Sequence, residues 1–316
     1  MRKNSERKNV WLSAMLLAGA ALMLPAASFA QTQTGQIAHV QEAGVDPTGS
    51  YAVGDGPTSL ASDGTCVWVT NQFSNTVMKV APDGSILGTF AVGKNPTGIA
   101  SDGTNVWVAN TASNTVTKLS LTGLVLGTYA AGDGPLGVLI DGKGNVWVTN
   151  ERANTVTKLS AAGATLGTFK VGRRPVGLAA EGSNVWVANN KENTVTKLSS
   201  TGAVLGTYPT GDGPFGVASD GVSVWVTNFW SGTLMTLSAK DGSVIGTTKV
   251  GDGAAGLVIS NRGIAVANNG SNTVSLIGKD GLVFDTSTVS KSPLGLVAVG
   301  SVVWVANTGS NTVSKR

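Results

Sequence analysis

A five-residue phrase, Val-Trp-Val-(Thr or Ala)-Asn, returns along this chain at almost constant intervals, its tryptophan standing at Trp68, Trp107, Trp147, Trp186, Trp225 and Trp304. A degenerate copy, Ile264-Ala265-Val266-Ala267-Asn268, fills the one gap, and the successive spacings become 39, 40, 39, 39, 40 and 39 residues. Seven copies of one short unit cannot each bury a core alone, so they must stack on one another. Within a unit, Pro96 to Ala131 for example, four short runs of β-branched and aromatic residues alternate with Gly, Asp and Asn turns. No run shows the roughly 3.6-residue period of a helix. The pattern predicts an all-β chain: a seven-bladed β-propeller whose blades are four antiparallel strands, A to D.

The expected blades span about 54–92, 93–131, 132–171, 172–210, 211–250, 251–290 and 291–316. The last unit supplies strands A (Pro293 to Val299), B (Ser301 to Asn307) and C (Asn311 to Arg316) but no D. Gly49-Ser50-Tyr51-Ala52-Val53-Gly54 matches Gly88-Thr89-Phe90-Ala91-Val92-Gly93, so residues 46–53 are predicted to serve as the missing strand and close the ring. Ahead of them, residues 31–45 form a polar segment.

Residues 1–30 read as a signal peptide: Arg2, Lys3, Arg7 and Lys8, an apolar run from Val10 to Leu24, and a small-x-small site at Ser28-Phe29-Ala30. A mature chain from Gln31 is therefore expected in the periplasm or secreted, with no transmembrane segment after cleavage. With Glu6, those basic residues account for most of the formal +4. Nothing in the remainder points to nucleic acid. The single cysteine, Cys66, excludes an internal disulfide and sits in a strand pattern, as packing.

Strand alternation puts the A-to-B and C-to-D turns on one face and the B-to-C and D-to-A loops on the other. The second set is longer and more variable, which makes it the expected binding face. Its recurrent Asn-x-x-Ser-Asn-Thr reads as loop structure, with Asn and Ser side chains bonding nearby backbone. Departures from it are Phe73, Glu151-Arg152, Lys191-Glu192 and Phe229-Trp230. The D-to-A loops read Gly-Asp-Gly around Asp55, Asp133, Asp212 and Asp252, but change sign at Lys94, Arg173-Arg174 and Lys291. Arg173, Arg174, Phe215, Phe229 and Trp230 form the candidate ligand- or partner-binding site, with Phe73 a further exposed aromatic. Guanidiniums beside aromatics match a small anionic or aromatic ligand, or a protein partner.

The strand B tryptophans are expected to pack between blades, where each burial contributes about 4 to 6 kcal/mol gross. At Ala265 either a neighbour fills the space or a pocket exists. Lys79, Lys118, Lys158, Lys197 and Lys315 recur in strand C and are expected to line a solvated edge. Metal sites find no support. The Asp-Gly turns carry one carboxylate each, the only histidine, His39, lies outside every repeat, and the ring positions Thr58, Thr97, Leu136, Val176, Phe215, Ala255 and Leu294 offer no carboxylate. No cofactor is expected.

Val-Trp-Val-Thr-Asn with Ser-Asn-Thr-Val resembles the YVTN-type propeller repeat of bacterial periplasmic and archaeal surface proteins. The units, with Gly-Pro-x-Gly opening strand A, also resemble the virginiamycin B (streptogramin) lyase family of seven-bladed propellers. That resemblance implies a magnesium ion and a histidine that open a cyclic depsipeptide by elimination, with a glutamate just before the histidine. Here the last blade reads Ser292-Pro293-Leu294-Gly295 where the family has Glu-Pro-His-Gly, and the sixth reads Gly253-Ala254-Ala255-Gly256. A gluconolactonase-like calcium site would have only the loop aspartates as candidates. The sequence reading is thus an exported, monomeric, non-catalytic binding module using its B-to-C and D-to-A loop face. The alternatives are a lyase-like or lactonase-like enzyme, and an envelope or surface structural protein.

Overall fold

Residues 49–316 are described in a computed structural model. The expected signal peptide, the polar segment and residues 46–48 of the expected closing strand lie outside the described residues. Those described form seven four-stranded antiparallel sheets and no helix, so none is present there that is long and apolar enough to cross a membrane.

Strand β1 is Ser50–Ala52. Blade one holds β2 (Pro57–Ser62), β3 (Val67–Asn71), β4 (Thr76–Val80) and β5 (Ile86–Ala91). Blade two holds β6 (Pro96–Ser101), β7 (Asn105–Asn110), β8 (Thr115–Ser120) and β9 (Val125–Ala130). Blade three holds β10 (Pro135–Ile140), β11 (Val146–Asn150), β12 (Thr155–Leu159) and β13 (Thr165–Lys170). Blade four holds β14 (Pro175–Glu181), β15 (Asn184–Asn189), β16 (Thr194–Leu198) and β17 (Val204–Pro209). Blade five holds β18 (Pro214–Ser219), β19 (Ser223–Asn228), β20 (Thr233–Ser238) and β21 (Val244–Lys249). Blade six holds β22 (Ala254–Ser260), β23 (Gly263–Asn268), β24 (Thr273–Ile277) and β25 (Val283–Thr288). Blade seven is β26 (Pro293–Val299), β27 (Val302–Asn307), β28 (Thr312–Lys315) and β1, with Ser50 opposite Ser314 and Ala52 opposite Thr312.

Strand A is innermost in every blade, and each packs against the next, β2 against β26 included. Along the axis the blades are joined by side chains at the end of strand B that donate to carbonyls at the start of the following strand A. The donors and acceptors run around the whole ring. They are Thr70 to Thr97 at 2.7 Å, Thr111 to Pro135 at 2.7 Å, Thr149 to Val176 at 2.8 Å and Asn190 to Pro214 at 3.1 Å. Thr227 to Ala255 at 2.5 Å, Asn269 to Pro293 at 3.1 Å and Thr308 to Pro57 at 2.6 Å complete it. Blades one, three and five use the Thr of Val-Trp-Val-Thr-Asn. Blades two, four, six and seven have Ala there, and the residue after the Asn takes over the bond. The Thr/Ala variation in the phrase is therefore a choice between two donors that reach adjacent carbonyls, the Thr that of the second residue of the next strand A (Thr97, Val176, Ala255) and the residue after the Asn that of the first (Pro135, Pro214, Pro293, Pro57).

Further out, the tryptophans pack as expected between blades: Trp68 lies with Val77 of its own blade and Ile99, Val106, Val108 and Leu119 of the next. The lysines do not line a solvated edge. Each faces its tryptophan across the strand B to C ladder, with Nζ 4.7 to 5.2 Å from the ring centre, and Lys158 and Lys197 are buried. The ammonium then donates to a carbonyl in the C-to-D turn of the following blade: Lys79 to Leu121 at 3.0 Å, Lys118 to Ala161 at 2.8 Å, Lys158 to Ser200 at 2.7 Å, Lys197 to Ala239 at 2.6 Å, and Lys315 to Pro82. A strand D aromatic completes the clamp. Phe90, Tyr129, Phe169, Tyr208 and Tyr51 sit 5.3 to 5.8 Å from the same tryptophans and cover Gly123, Gly163, Gly202, Gly242 and Gly84 of that turn so closely that a Cβ would fall inside the ring. The lysines are desolvated because a backbone oxygen and an aromatic face replace water. At Ala265 a neighbour fills the space: buried Leu276, opposite it on strand C, packs with Leu296, Val303 and Val305 of blade seven.

In blade one Asp63 joins the clamp, bonding Trp68 Nε1 at 3.0 Å and Lys79 Nζ at 3.0 Å. Burial pushes its carboxyl up, but hydrogen bonds from the Cys66 N–H, Trp68 and Lys79 outweigh this and bring it down to about 2 from 3.8. A folded-state value below the unfolded one contributes stability that is present above about pH 4 and is lost as pH falls toward 2. Acid unfolding of Asp63→Asn should accordingly show a shallower loss of stability across that window than the parent. For the axial ring, Thr111→Val should cost about 1 to 3 kcal/mol by leaving the Pro135 carbonyl unpaired. Adding Ala109→Thr, which rebuilds the blade-one donor, aims a hydroxyl at the Leu136 carbonyl, one residue further along β10, and should leave most of the loss in place in denaturant unfolding; full recovery would show that the two carbonyls are interchangeable acceptors.

Candidate functional site

On the B-to-C and D-to-A face, the Ser-Asn pair of the B-to-C loop ties down the D-to-A loops on both sides of blades one, two, six and seven, while blade five keeps the Ser but has Gly232 in place of the Asn. The serine oxygen accepts the N–H of the loop leading into its own blade: Ser74 from Asp55 at 2.8 Å, Ser113 from Lys94 at 2.7 Å, Ser231 from Asp212 at 2.8 Å, Ser271 from Asp252 at 2.7 Å and Ser310 from Lys291 at 2.9 Å. The asparagine, itself at φ near +56°, accepts from the loop leaving it, as Asn114 does from Gly134 at 3.0 Å and Asn193 from Gly213 at 2.9 Å. Asparagine tolerates that left-handed backbone because its side chain bonds locally.

Blades three and four lack the serine, having Ala153 and Glu192 in its place. In them an ion pair joins the same two loops: Arg152 Nε to Asp133 at 2.9 Å, and Arg173 Nε to Glu192 at 3.4 Å. Two of the departures from the repeat, Arg152 and Glu192, are therefore replacements for a missing hydrogen bond.

Arg174 occupies the positive-φ position (55°) that glycine holds at Gly134 and Gly213. Its guanidinium turns back onto Glu151, with Nε 2.7 Å from Oε1 and Nη2 on the same oxygen, and the Glu151 side chain is 2% exposed. Glu151 follows the Asn of strand B, the position whose side chain bonds the next blade in blades two, four, six and seven. Thr149 carries that bond in blade three, so Glu151 is released to hold Arg174. Phe229 stands at the equivalent position of blade five, where Thr227 carries the bond.

The structure brings Phe215, Phe229 and Trp230 together as a half-buried cluster. Phe215 and Phe229 have ring centres 6.0 Å apart, and Trp230 meets Phe229 edge-on at 4.8 Å and 78°. Phe215 comes from the start of inner strand β18, while Phe229 and Trp230 open the B-to-C loop, so the cluster runs from the channel wall outward. Trp230 lies over Gly213, as Phe73 in blade one lies over Gly56. Phe73, 46% exposed, is a separate lid on its own loop. The two arginines are thus engaged by Glu151 and Glu192, and the aromatics form the contiguous part of the expected site. Sequence reasoning missed Glu151 as the partner of Arg174 and the released status of Phe229; the signal available for both was the Thr149 and Thr227 of their own blades.

The positions at which the resemblance implies an acid/base pair and a magnesium ion are differently furnished. Leu294 is buried, Ser292 has φ 54° with its N–H bound by Asn272 at 2.8 Å, and Ala254 and Ala255 are fully buried. These side chains hold no carboxylate or imidazole, so they do not fit a divalent cation, and no reaction step is derived through one. Among the described residues no group of three or more His, Cys, Asp or Glu is placed to hold a metal.

The ion pairs differ in what they contribute. Arg174→Ala should destabilise the fold by about 3 kcal/mol, because it strands a buried carboxylate. Arg173→Ala, whose side chain is 69% exposed, should cost under about 1 kcal/mol. Urea unfolding of the two variants side by side checks the contrast.

No protein-family model matches the sequence, and no curated protein does. Solved structures resemble the fold. A streptogramin B lyase superposes with a TM-score of 0.74 at 20% identity, covering 83% of this chain and 93% of that one. The virginiamycin B lyase of Staphylococcus aureus superposes at 0.75 and 16% identity, covering 84% and 97%. The hydrazine synthase of Kuenenia stuttgartiensis does so at 0.75 and 16% identity, covering 89% and 99%. At such identities the likeness shows the fold, and this chain is a seven-bladed β-propeller of the kind found in the streptogramin B lyases.

Proposed function

We propose that this chain is an exported, non-catalytic binding module that takes an aromatic ligand or a protein partner on its B-to-C and D-to-A loop face, centred on blade five. The observation that carries the reading is the cluster of Phe215, Phe229 and Trp230, three aromatics in contact, Phe215 tilted against Phe229 and Trp230 edge-on to it, on a loop face where the only other aromatic among the departures is the single Phe73 of blade one. Phe229 has no part in the axial ring, because Thr227 makes that bond, so its ring is not required by the scaffold. Half-buried aromatic groups on rigid loops are the usual anchors of binding sites. The anion-holding half of the sequence reading has less support, since each guanidinium already faces a carboxylate.

An enzymatic reading is favoured by the fold likeness to streptogramin B lyases over most of both chains. It ranks second because Leu294 and Ser292 supply no general acid or base, and the only histidine is His39, outside every repeat. The two separate cleanly. The chain from Gln31, used as bait in envelope extract and then with the purified partner or ligand, should bind at least tenfold more tightly than its Phe229→Ala, Trp230→Ala variant. Equal binding by both would remove the site, and linearisation of a streptogramin B depsipeptide by the unmodified chain with magnesium would replace the reading with the enzymatic one.

A further inference from the structure

Every loop from strand D of one blade to strand A of the next presents a backbone N–H at its third residue. Six of the seven are met by Oδ1 of the positive-φ asparagine in the preceding blade. Gly56 donates to Asn311 at 2.9 Å, Asn95 to Asn75 at 2.8 Å and Gly134 to Asn114 at 3.0 Å. Arg174 donates to Asn154 at 2.9 Å, Gly213 to Asn193 at 2.9 Å and Ser292 to Asn272 at 2.8 Å. The seventh, Gly253 between blades five and six, has no acceptor for its N–H among the described residues, because blade five carries Gly232 where the others have asparagine.

The backbone does not impose that glycine. Gly232 has φ 60°, and asparagine holds the same conformation, at 55° to 57°, in the six other blades. What glycine provides is room. A Cβ at position 232 would lie 2.8 Å from Lys249 Nζ and 3.7 Å from Asp252 Cα. The ammonium at the end of β21 thus fills the corner that an asparagine side chain fills elsewhere, and it donates to the Ser231 carbonyl at 3.1 Å. Lys249 forms no ion pair among the described residues, and the neighbouring Asp252 is exposed. Two donors, one of them cationic, therefore meet where the other blades place an amide oxygen. The aromatic cluster borders them: the tip of the Phe229 ring is 3.4 Å from the point a Cβ on Gly253 would occupy.

We infer that this corner takes a carboxylate whose aromatic or apolar carrier packs on Phe229 and Trp230. One carboxylate oxygen accepts the Gly253 N–H in place of the missing asparagine, and the group pairs with Lys249. Hydrogen bonds to an ionised acceptor are shorter and stronger than neutral ones, so the carboxylate is preferred over an amide of the same shape. The inference rests on the blade-five cluster being a binding site, and it moves the anion contact from Arg173 and Arg174, which already face carboxylates, to Lys249.

Phenylacetate and its uncharged amide, phenylacetamide, titrated into the chain from Gln31 by ligand-observed NMR, test this. Phenylacetate should bind at least about tenfold more tightly than phenylacetamide. Gly232→Asn, which restores the cap with a residue the other blades hold at this φ, should cut that preference to about threefold or less, as should Lys249→Met, with thermal melts showing both variants folded. Phe229→Ala should weaken both probes alike. Equal binding of the two probes, or a preference that survives in both corner variants, would overturn the carboxylate corner and leave the aromatic cluster standing. Binding of neither probe would overturn it as well, while partner capture that depends on Phe229 and Trp230 would still uphold the broader reading.

Discussion

Seven wedges meeting on one axis must bring their innermost strands closer than ordinary sheet packing allows, and the rest of the molecule follows from that crowding. In six of the seven blades a Cβ on the third residue of strand A would strike the neighbouring blade, so glycine stands there at Gly98, Gly137, Gly177, Gly216, Gly256 and Gly295, while blade one carries Ser59. The same approach turns buried strand A carbonyls toward the adjacent blade, away from water and from their own sheet. An unmet carbonyl in such a place costs about 1 to 3 kcal/mol, and there is one at every junction. The seven side-chain donors at the ends of strand B meet that demand. Once one residue per blade is committed to this bond, its neighbours are either free or required elsewhere, and this decides which loop positions can vary.

Much of this could be read before any coordinates. The blade, its four strands, the Asp-Gly turns and the interblade tryptophans are expressed as period and alternation, which are local properties of a sequence. The lysines were legible as a repeat but not in their role, because their partner is a backbone carbonyl roughly one blade further along the chain. A carbonyl is present at every residue and leaves no compositional trace. The pairing of Arg174 with Glu151 was hidden for a related reason: the two are 23 positions apart and meet through the curvature of the ring. The Thr/Ala exchange, by contrast, lay open in the sequence. Each Ala in the phrase is followed, after the Asn, by Thr or Asn (Thr111, Asn190, Asn269 and Thr308), and each Thr by something else.

Blade six shows that a degenerate repeat can still obey the logic of the fold. Losing a tryptophan looks from the sequence like decay or a pocket. In the ring it coincides with the one junction where the following blade has no C-to-D turn, so the lysine and the aromatic would have nothing to cover. All three positions have changed together, and Leu276 occupies the room left at Ala265. Degeneracy here is matched to a missing partner.

The same reasoning sorts the departures on the loop face. Arg152 and Glu192 replace serine caps by ion pairs, and Phe73 and Trp230 each shield a positive-φ glycine, so each of these has a structural cause. Glu151 and Phe229 differ, because Thr149 and Thr227 make the axial bonds of their blades. Glu151 is taken up by Arg174. Phe229 instead packs at a tilt against Phe215 and meets Trp230 edge-on, a half-buried apolar contact beside the start of β18 that the axial bond of blade five does not require. A repeat protein gains a site when a position freed from architecture is filled with something the architecture does not use, and in this chain that condition is met at blade five.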